Sequence, residues 1–197
     1  YHGTEILTEN KYEWQSYTPY LQGWAKMELE NISAKAKTKG ITSCVYNCPE
    51  ILTNSSSIFQ GVEIPLYPLL KALEIESSKH EKTQKLFANC KDKLQEGRDF
   101  NELFQVTTQF YKNYNIKSLD QFKDWPQHST QDQLESLLKH SEELIALHKD
   151  PKDLVTFLLS EVVFQCCGYI MFFDSWKPQN AASWIGHDLI AKIYPKL

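Results

Sequence analysis

The stretch from Leu154 to Phe173 constrains this chain more than any other feature. It carries one charge, Glu161, and one amide, Gln165. A helix that is apolar on all faces belongs either at the centre of a fold or inside a bilayer. Roughly twenty residues just suffice to cross a bilayer. A central core helix is the favoured reading, because Glu161 and Gln165 at mid-span would be costly in lipid. The rest of the chain is also amphipathic enough to wrap such a helix. Asp150-Pro151 opens it, with a capping acid followed by Pro at the first helical position. The expectation is a central helix over about 151–173.

Helical periodicity runs through most of the remainder. Thr18-Pro19 starts a helix over about 18–39, with Leu21, Ala25, Leu29, Ile32 and Ala36 at three- and four-residue steps. Lys35, Lys37 and Lys39 lie in its last turn and Gly40 stops it. From about 67 to 96, two apolar clusters predict one long helix or two, broken near Ser77-Ser78. Asp99 caps a helix through Phe110 and Tyr114. Ser118 opens a short one that Pro126 closes. Thr130 with Gln133 matches a capping box before a helix through His148. A last helix is expected over about Ala181 to Tyr194. Residues 1–17 read as an N-terminal aromatic segment and 41–64 as an irregular connection with a short helix near 49–60. Ile41 to Tyr46 fits a short strand or a buried loop. The sum is an all-α single domain over 1–197, a globular array or bundle of seven to eight helices with no clear strand.

Composition narrows the function classes. The net charge is −4, and of 21 basic residues only Arg98 is Arg. Base readout and phosphate gripping draw on Arg, so a lysine-rich chain without a basic stripe is not expected to bind nucleic acid. No G-x-G-x-x-G, G-x4-G-K-[ST], G-x-S-x-G or H-E-x-x-H occurs. That argues against P-loop enzymes, kinases, α/β-hydrolases and the usual nucleotide cradles. The five cysteines are odd in number and unevenly spaced, which suits a reducing, cytoplasmic compartment and a soluble protein.

Three sets of residues are candidates for function. Glu161, alone in its apolar helix, must find a hydrogen-bond partner or take up a proton if it is buried. His140, Glu143 and His148 share one predicted helix and are weak metal candidates, though the Glu-x-x-His spacing of di-metal bundles is missing. Trp14, Tyr17, Trp24 and Trp184 offer rings with an apolar body and a polar tip, of the kind favoured at partner surfaces. The function read from this is a non-enzymatic α-helical interaction or regulatory domain that binds a partner protein or peptide, without a cofactor. The alternative is a protein binding a small apolar ligand, or a metal-dependent helical enzyme, with a pocket beside 151–173. A membrane-active role for that helix is a weaker third reading.

Overall fold

The computed structural model describes the backbone at residues 4–8, 11–15, 20–53, 61, 64–113 and 131–197, and side chains at 25–53, 61, 64–112 and 135–197. It contains α1 (Tyr20–Thr38), α2 (Pro68–Ser77), α3 (Glu81–Lys93), α4 (Phe100–Asn113), α5 (Gln131–Ile145), α6 (Val155–Asp174) and α7 (His187–Ile193). The fold is all-α in class, with seven α-helices among the described residues. The predicted short helix after Ser118, and residues 54–60 of the irregular connection, lie outside those residues.

Local chemistry explains the helix ends. After α1, the Ile41 amide donates to Ala36 O at 3.1 Å and the Gly40 amide donates to Lys37 O at 3.0 Å. These two bonds form a Schellman stop, which needs the positive φ of 75° that Gly40 adopts. Asp99 Oδ1 accepts from the amides of Asn101 and Glu102, while Glu102 Oε1 accepts from the Asp99 amide. That reciprocal pair closes the start of α4. The segment near Ser77-Ser78 is a true break. α2 ends at Ser77, and His80 Nδ1 accepts from the Lys82 amide at the start of α3.

Two small sheets correct the expectation that no strand is present. β1 (Thr4–Thr8) and β2 (Lys11–Gln15) form an antiparallel hairpin, with Thr8 opposite Lys11 and Thr4 opposite Gln15. The sequence of β2 alternates polar Lys11, Glu13 and Gln15 with aromatic Tyr12 and Trp14, a period of two that marks a strand. β3 (Val45–Asn47) pairs in parallel with β4 (Ala182–Trp184). The last helix therefore begins at His187 rather than near Ala181.

The core is densest along the segment from Ile64 to Leu73. Ile64, Leu66, Tyr67, Leu69, Leu70, Ala72 and Leu73 are all essentially inaccessible to solvent. A 3-10 turn (Ile64–Leu66) leads into α2, which packs against α7, α4 and α3. Leu103, Leu144, Leu159, Val163 and Ile190 close around it from α4, α5, α6 and α7.

α6 takes its place with one face in this core and the other outward. Val155, Leu159, Val162, Val163, Cys166 and Cys167 are buried. Phe157, Phe164, Tyr169, Met171, Phe172 and Phe173 are exposed. The helix is long and apolar enough to cross a membrane, and 44% of its 18-residue apolar stretch is buried within this fold.

Candidate functional site

The outward face of α6 is the most unusual surface among the described side chains. Phe164 is 69% exposed, Phe172 and Phe173 62% each, and Trp176, just beyond the helix, 81%. The rings are organised. Tyr169 meets Phe173 at a tilt of 53° with centroids 4.7 Å apart, and Phe172 meets Phe173 edge-on at 5.2 Å. Single exposed apolar residues are ordinary, as at Phe164 and Trp176, but the three touching rings of Tyr169, Phe172 and Phe173 at the end of α6 mark a binding surface or an interface.

Polar contacts hold this end of α6 against the parallel strand pair. The Tyr46 hydroxyl on β3 donates to Asp174 Oδ2 at 2.6 Å. Burial, and next the bond to Asp174, push the Tyr46 phenol well above its ordinary range, so it stays protonated and donating. The β3–β4 register is pinned at both ends, by Val45 N to Ala181 O at 2.9 Å and Ile185 N to Asn47 O at 2.8 Å. Ser33 Oγ on α1 donates to Ala181 O at 2.7 Å. Replacing Tyr46 with Phe is expected to lower stability by about 1–3 kcal/mol, because the bond to a carboxylate is lost and Asp174 keeps a part-buried charge. Urea titration reads this directly, and a midpoint equal to that of the parent would show that the bond contributes nothing.

The structure scatters the candidates named from sequence. Glu161 is exposed and accepts from Gln165 Nε2 at 3.0 Å. It is not a buried carboxylate in need of a partner, because it falls one helical turn from Phe157 and Phe164 on the outward face. His140 is buried with Phe110 edge-on to its ring, and its Nδ1–H donates to Ser136 O at 2.6 Å. His148 is buried with Nδ1–H donating to Leu144 O at 2.8 Å. Glu143 is exposed, 3.9 Å from Lys139 Nζ. Each histidine thus satisfies the carbonyl one turn back, and the described residues contain no group of three or more His, Cys, Asp or Glu fit to hold a metal.

Trp184 is half-buried on β4. Trp14 lies on β2 opposite Glu5, and Trp24 lies within α1, but neither side chain is among those described. Tyr17 lies outside the described residues. Arg98 forms an ion pair with Glu102 at 2.6 Å across the start of α4.

Sequence reasoning missed the rings at 164–176. Their density was visible as five aromatics in a short span, but an apolar helix assumed to be central gave no reason to separate inward rings from outward ones. An open groove of about 580 Å³ between the α2–α3 turn and the last 3-10 turn (Tyr194–Lys196) is lined by Lys79, Lys192 and Lys196. Lys192 there is shared between Glu76 at 3.8 Å and Asp188 at 3.5 Å, so this is a solvated ion network.

Comparison with known proteins changes the functional reading. The model of the family described as Enoyl-acyl carrier protein reductase FabMG matches residues 1–194. Two solved structures are similar. One is the apo structure of FabMG, described as a novel type of enoyl-acyl carrier protein reductase. It is 41% identical with a TM-score of 0.86, and the match covers 98% of this chain and 44% of that one. The other is FabMG with NADH bound, 40% identical with a TM-score of 0.75, covering 98% and 47%. The chain thus spans about half the length of these relatives. No curated protein matches it.

These findings overturn the expectation of a non-enzymatic interaction or regulatory domain. A protein or peptide as the main partner falls with it, since the relatives are reductases and one holds a small-molecule cofactor. The missing Gly-rich motifs exclude particular scaffolds, not reductase chemistry on another scaffold. With a family match over 1–194 and 41% identity across 98% of its length, the chain belongs to the FabMG family of enoyl-acyl carrier protein reductases.

Proposed function

We propose that this chain provides the acyl-binding part of a reductase acting on 2-enoyl thioesters of acyl carrier protein, with NADH as reductant. The observation that supports it is the outward aromatic face of α6, set beside the Tyr46–Asp174 pair. A fatty acyl chain is a flexible apolar ligand, and organised rings remove its methylenes from water at about 0.8 kcal/mol each. NADH supplies a hydride to the β-carbon of such a thioester, and a proton goes to the α-carbon.

The described residues do not themselves fit a dinucleotide. Their parallel strands are three residues long, and no Gly-rich turn joins a strand to a helix start. Of the described glycines with positive φ, Gly40 ends α1, Gly97 precedes the α4 cap, and Gly61 packs on Leu137. No chemical step is therefore assigned to this chain's residues, whose share is to bind and orient the acyl group. A cytoplasmic setting suits NADH chemistry and the five unpaired thiols.

The test is loss of NADH absorbance with crotonyl and dodecenoyl thioesters, for the whole reductase in which this chain supplies the acyl-binding part, as the parent and as its Phe172→Ser variant. Turnover of both thioesters is expected in the parent. The variant is expected to raise KM for dodecenoyl substrate by about ten-fold and to change crotonyl turnover little, as loss of one ring contact implies. No NADH oxidation with either substrate would overturn the reductase reading. An unchanged preference for chain length in Phe172→Ser would overturn the acyl-binding role alone.

A further inference from the structure

The outward side of α6 carries a regular stripe besides the three touching rings. Phe157, Glu161, Phe164, Gly168 and Met171 follow one another at alternating steps of four and three, and all are exposed. That spacing is the seam by which one helix receives another. Singly, an exposed Phe164 is ordinary, but a stripe in register is not. Gly168 is a second, independent observation. It lies within the helix, where Gly is weaker than Ala. A Cβ added there would meet nothing within 4 Å beyond its own helix, so no close approach inside this chain calls for a glycine. On an open helix face, a glycine lets another backbone come near. Glu161, which accepts from Gln165 in the middle of the stripe, would be costly in lipid. Against a protein surface, such a polar position sets register.

We propose that this stripe is the surface on which the NADH-binding portion of the reductase packs a helix against α6. The inference rests on the reading above that this chain binds the acyl group. The described residues do not fit a dinucleotide, whereas one relative holds NADH, and the matches cover 44% and 47% of the relatives' chains. A hydride passes only between atoms held about 3–3.5 Å apart. The portion that holds NADH must therefore lie directly against the portion that holds the acyl chain. The rings of Tyr169, Phe172 and Phe173 stand at the C-terminal end of the same helix. A body seated on Phe157, Phe164 and Gly168 thus lies beside the acyl site without filling it. Phe157 and Phe164, 44% and 69% exposed here, leave water in that contact and drive it. A second copy of this chain in the same place would bring another acyl-binding part and no NADH.

The whole reductase, with Phe164 replaced by the photo-reactive p-benzoylphenylalanine, tests this in the absence of substrate. Irradiation and digestion should give a cross-linked pair that joins α6 to a peptide outside residues 1–197, within the portion that binds NADH. A link to the α6 of a second copy, a link to another part of residues 1–197, or no link at all would overturn the proposal. So would reaction of the probe with phosphatidylglycerol vesicles in place of protein. Gly168→Leu in the same protein fills open space with a good helix former, so α6 itself is kept. It should cut the yield of the link about ten-fold, as an overpacked contact implies. An undiminished yield would show that no backbone approaches Gly168 and would overturn the helix seam. Failure of the acyl-binding role would appear instead in the KM of Phe172→Ser, which the cross-link does not read.

Discussion

Gly61→Ala is expected to destabilise the protein by about 2–5 kcal/mol. Gly61 holds φ at 94°, where a side chain costs about 1–2 kcal/mol on its own. A Cβ built there would also lie 2.4 Å from Leu137 Cγ and within 3 Å of both its methyls. The clash falls on a branch point as well as on the methyl ends, so Leu137 cannot escape by moving them alone. Leu137 sits on α5 and packs against the core, and the Ile64 amide donates to Gly61 O at 3.1 Å. Strain at Gly61 is thus passed to the most buried segment of the molecule.

A fall in melting temperature of roughly 5–15 °C is the expected reading for a chain of this size. Gly40→Ala is the control, since φ is 75° there but a Cβ would meet no atom beyond its chain neighbours within 4 Å. It should cost only the backbone term, about 1–2 kcal/mol. Equal losses at the two sites would show that the contact with Leu137 is harmless. Partial rescue of Gly61→Ala by Leu137→Ala would locate the clash directly.

The second large effect is a dependence of stability on pH that rests on His187. Its ring is fully inaccessible, and neither ring nitrogen has a hydrogen-bond partner among the described residues. Burial lowers its pKa from 6.5 to about 4, with Asp188 opposing weakly. The sign follows from proton counting. Below pH 6.5 the unfolded chain binds a proton at this site that the folded chain refuses. Stability supplied by neutral His187 is therefore whole above 6.5 and is lost as pH falls towards 4.

The loss saturates at about 3 kcal/mol, from a shift of more than two pKa units at 1.36 kcal/mol each. Urea midpoints at several pH values should fall steeply for the parent and less so for His187→Phe, which keeps the ring shape and cannot titrate. Parallel curves would overturn the assignment. His148, whose pKa is also lowered chiefly by burial, adds to the same trend.

Much of the secondary structure was legible because it is local. Asp99 with Glu102, Gly40 after the lysine trio, and the break at Ser77-Ser78 each satisfy backbone groups within a few residues. The hairpin strand at Lys11–Gln15 was legible too, but its alternation was read as aromatic clustering rather than as a period of two. The pairing of Val45–Asn47 with Ala182–Trp184 was not legible. Those strands are short and far apart in the chain, and neither carries a pattern that names the other.

The candidate site divides along the same line. The rings from Phe164 to Trp176 are plain in the sequence, yet nothing there says which of them face out. A uniformly apolar helix has almost no amphipathic signal, so its rotation is set by its neighbours. Glu161 shows this, since its apolar neighbours in sequence suggest a buried carboxylate in need of a partner and it lies on the exposed face. Family membership was illegible for another reason. FabMG proteins are reductases, but this chain carries none of the short Gly-rich patterns by which nucleotide enzymes are usually recognised.

By itself the sequence determined the all-α class, the ends at Gly40, Ser77 and Asp99 and the presence of one long apolar helix, because capping and periodicity act over three to seven residues. The starts expected at Asp150-Pro151 and Ala181 fall instead at Val155 and His187. Only the tertiary structure decided that Ile64–Leu73 forms the buried centre and that α6 turns an aromatic face outward. The same packing decided that His187 is shut away from water. Each of those depends on which distant surface packs where, and burial is the property of a neighbourhood that the chain acquires only on folding.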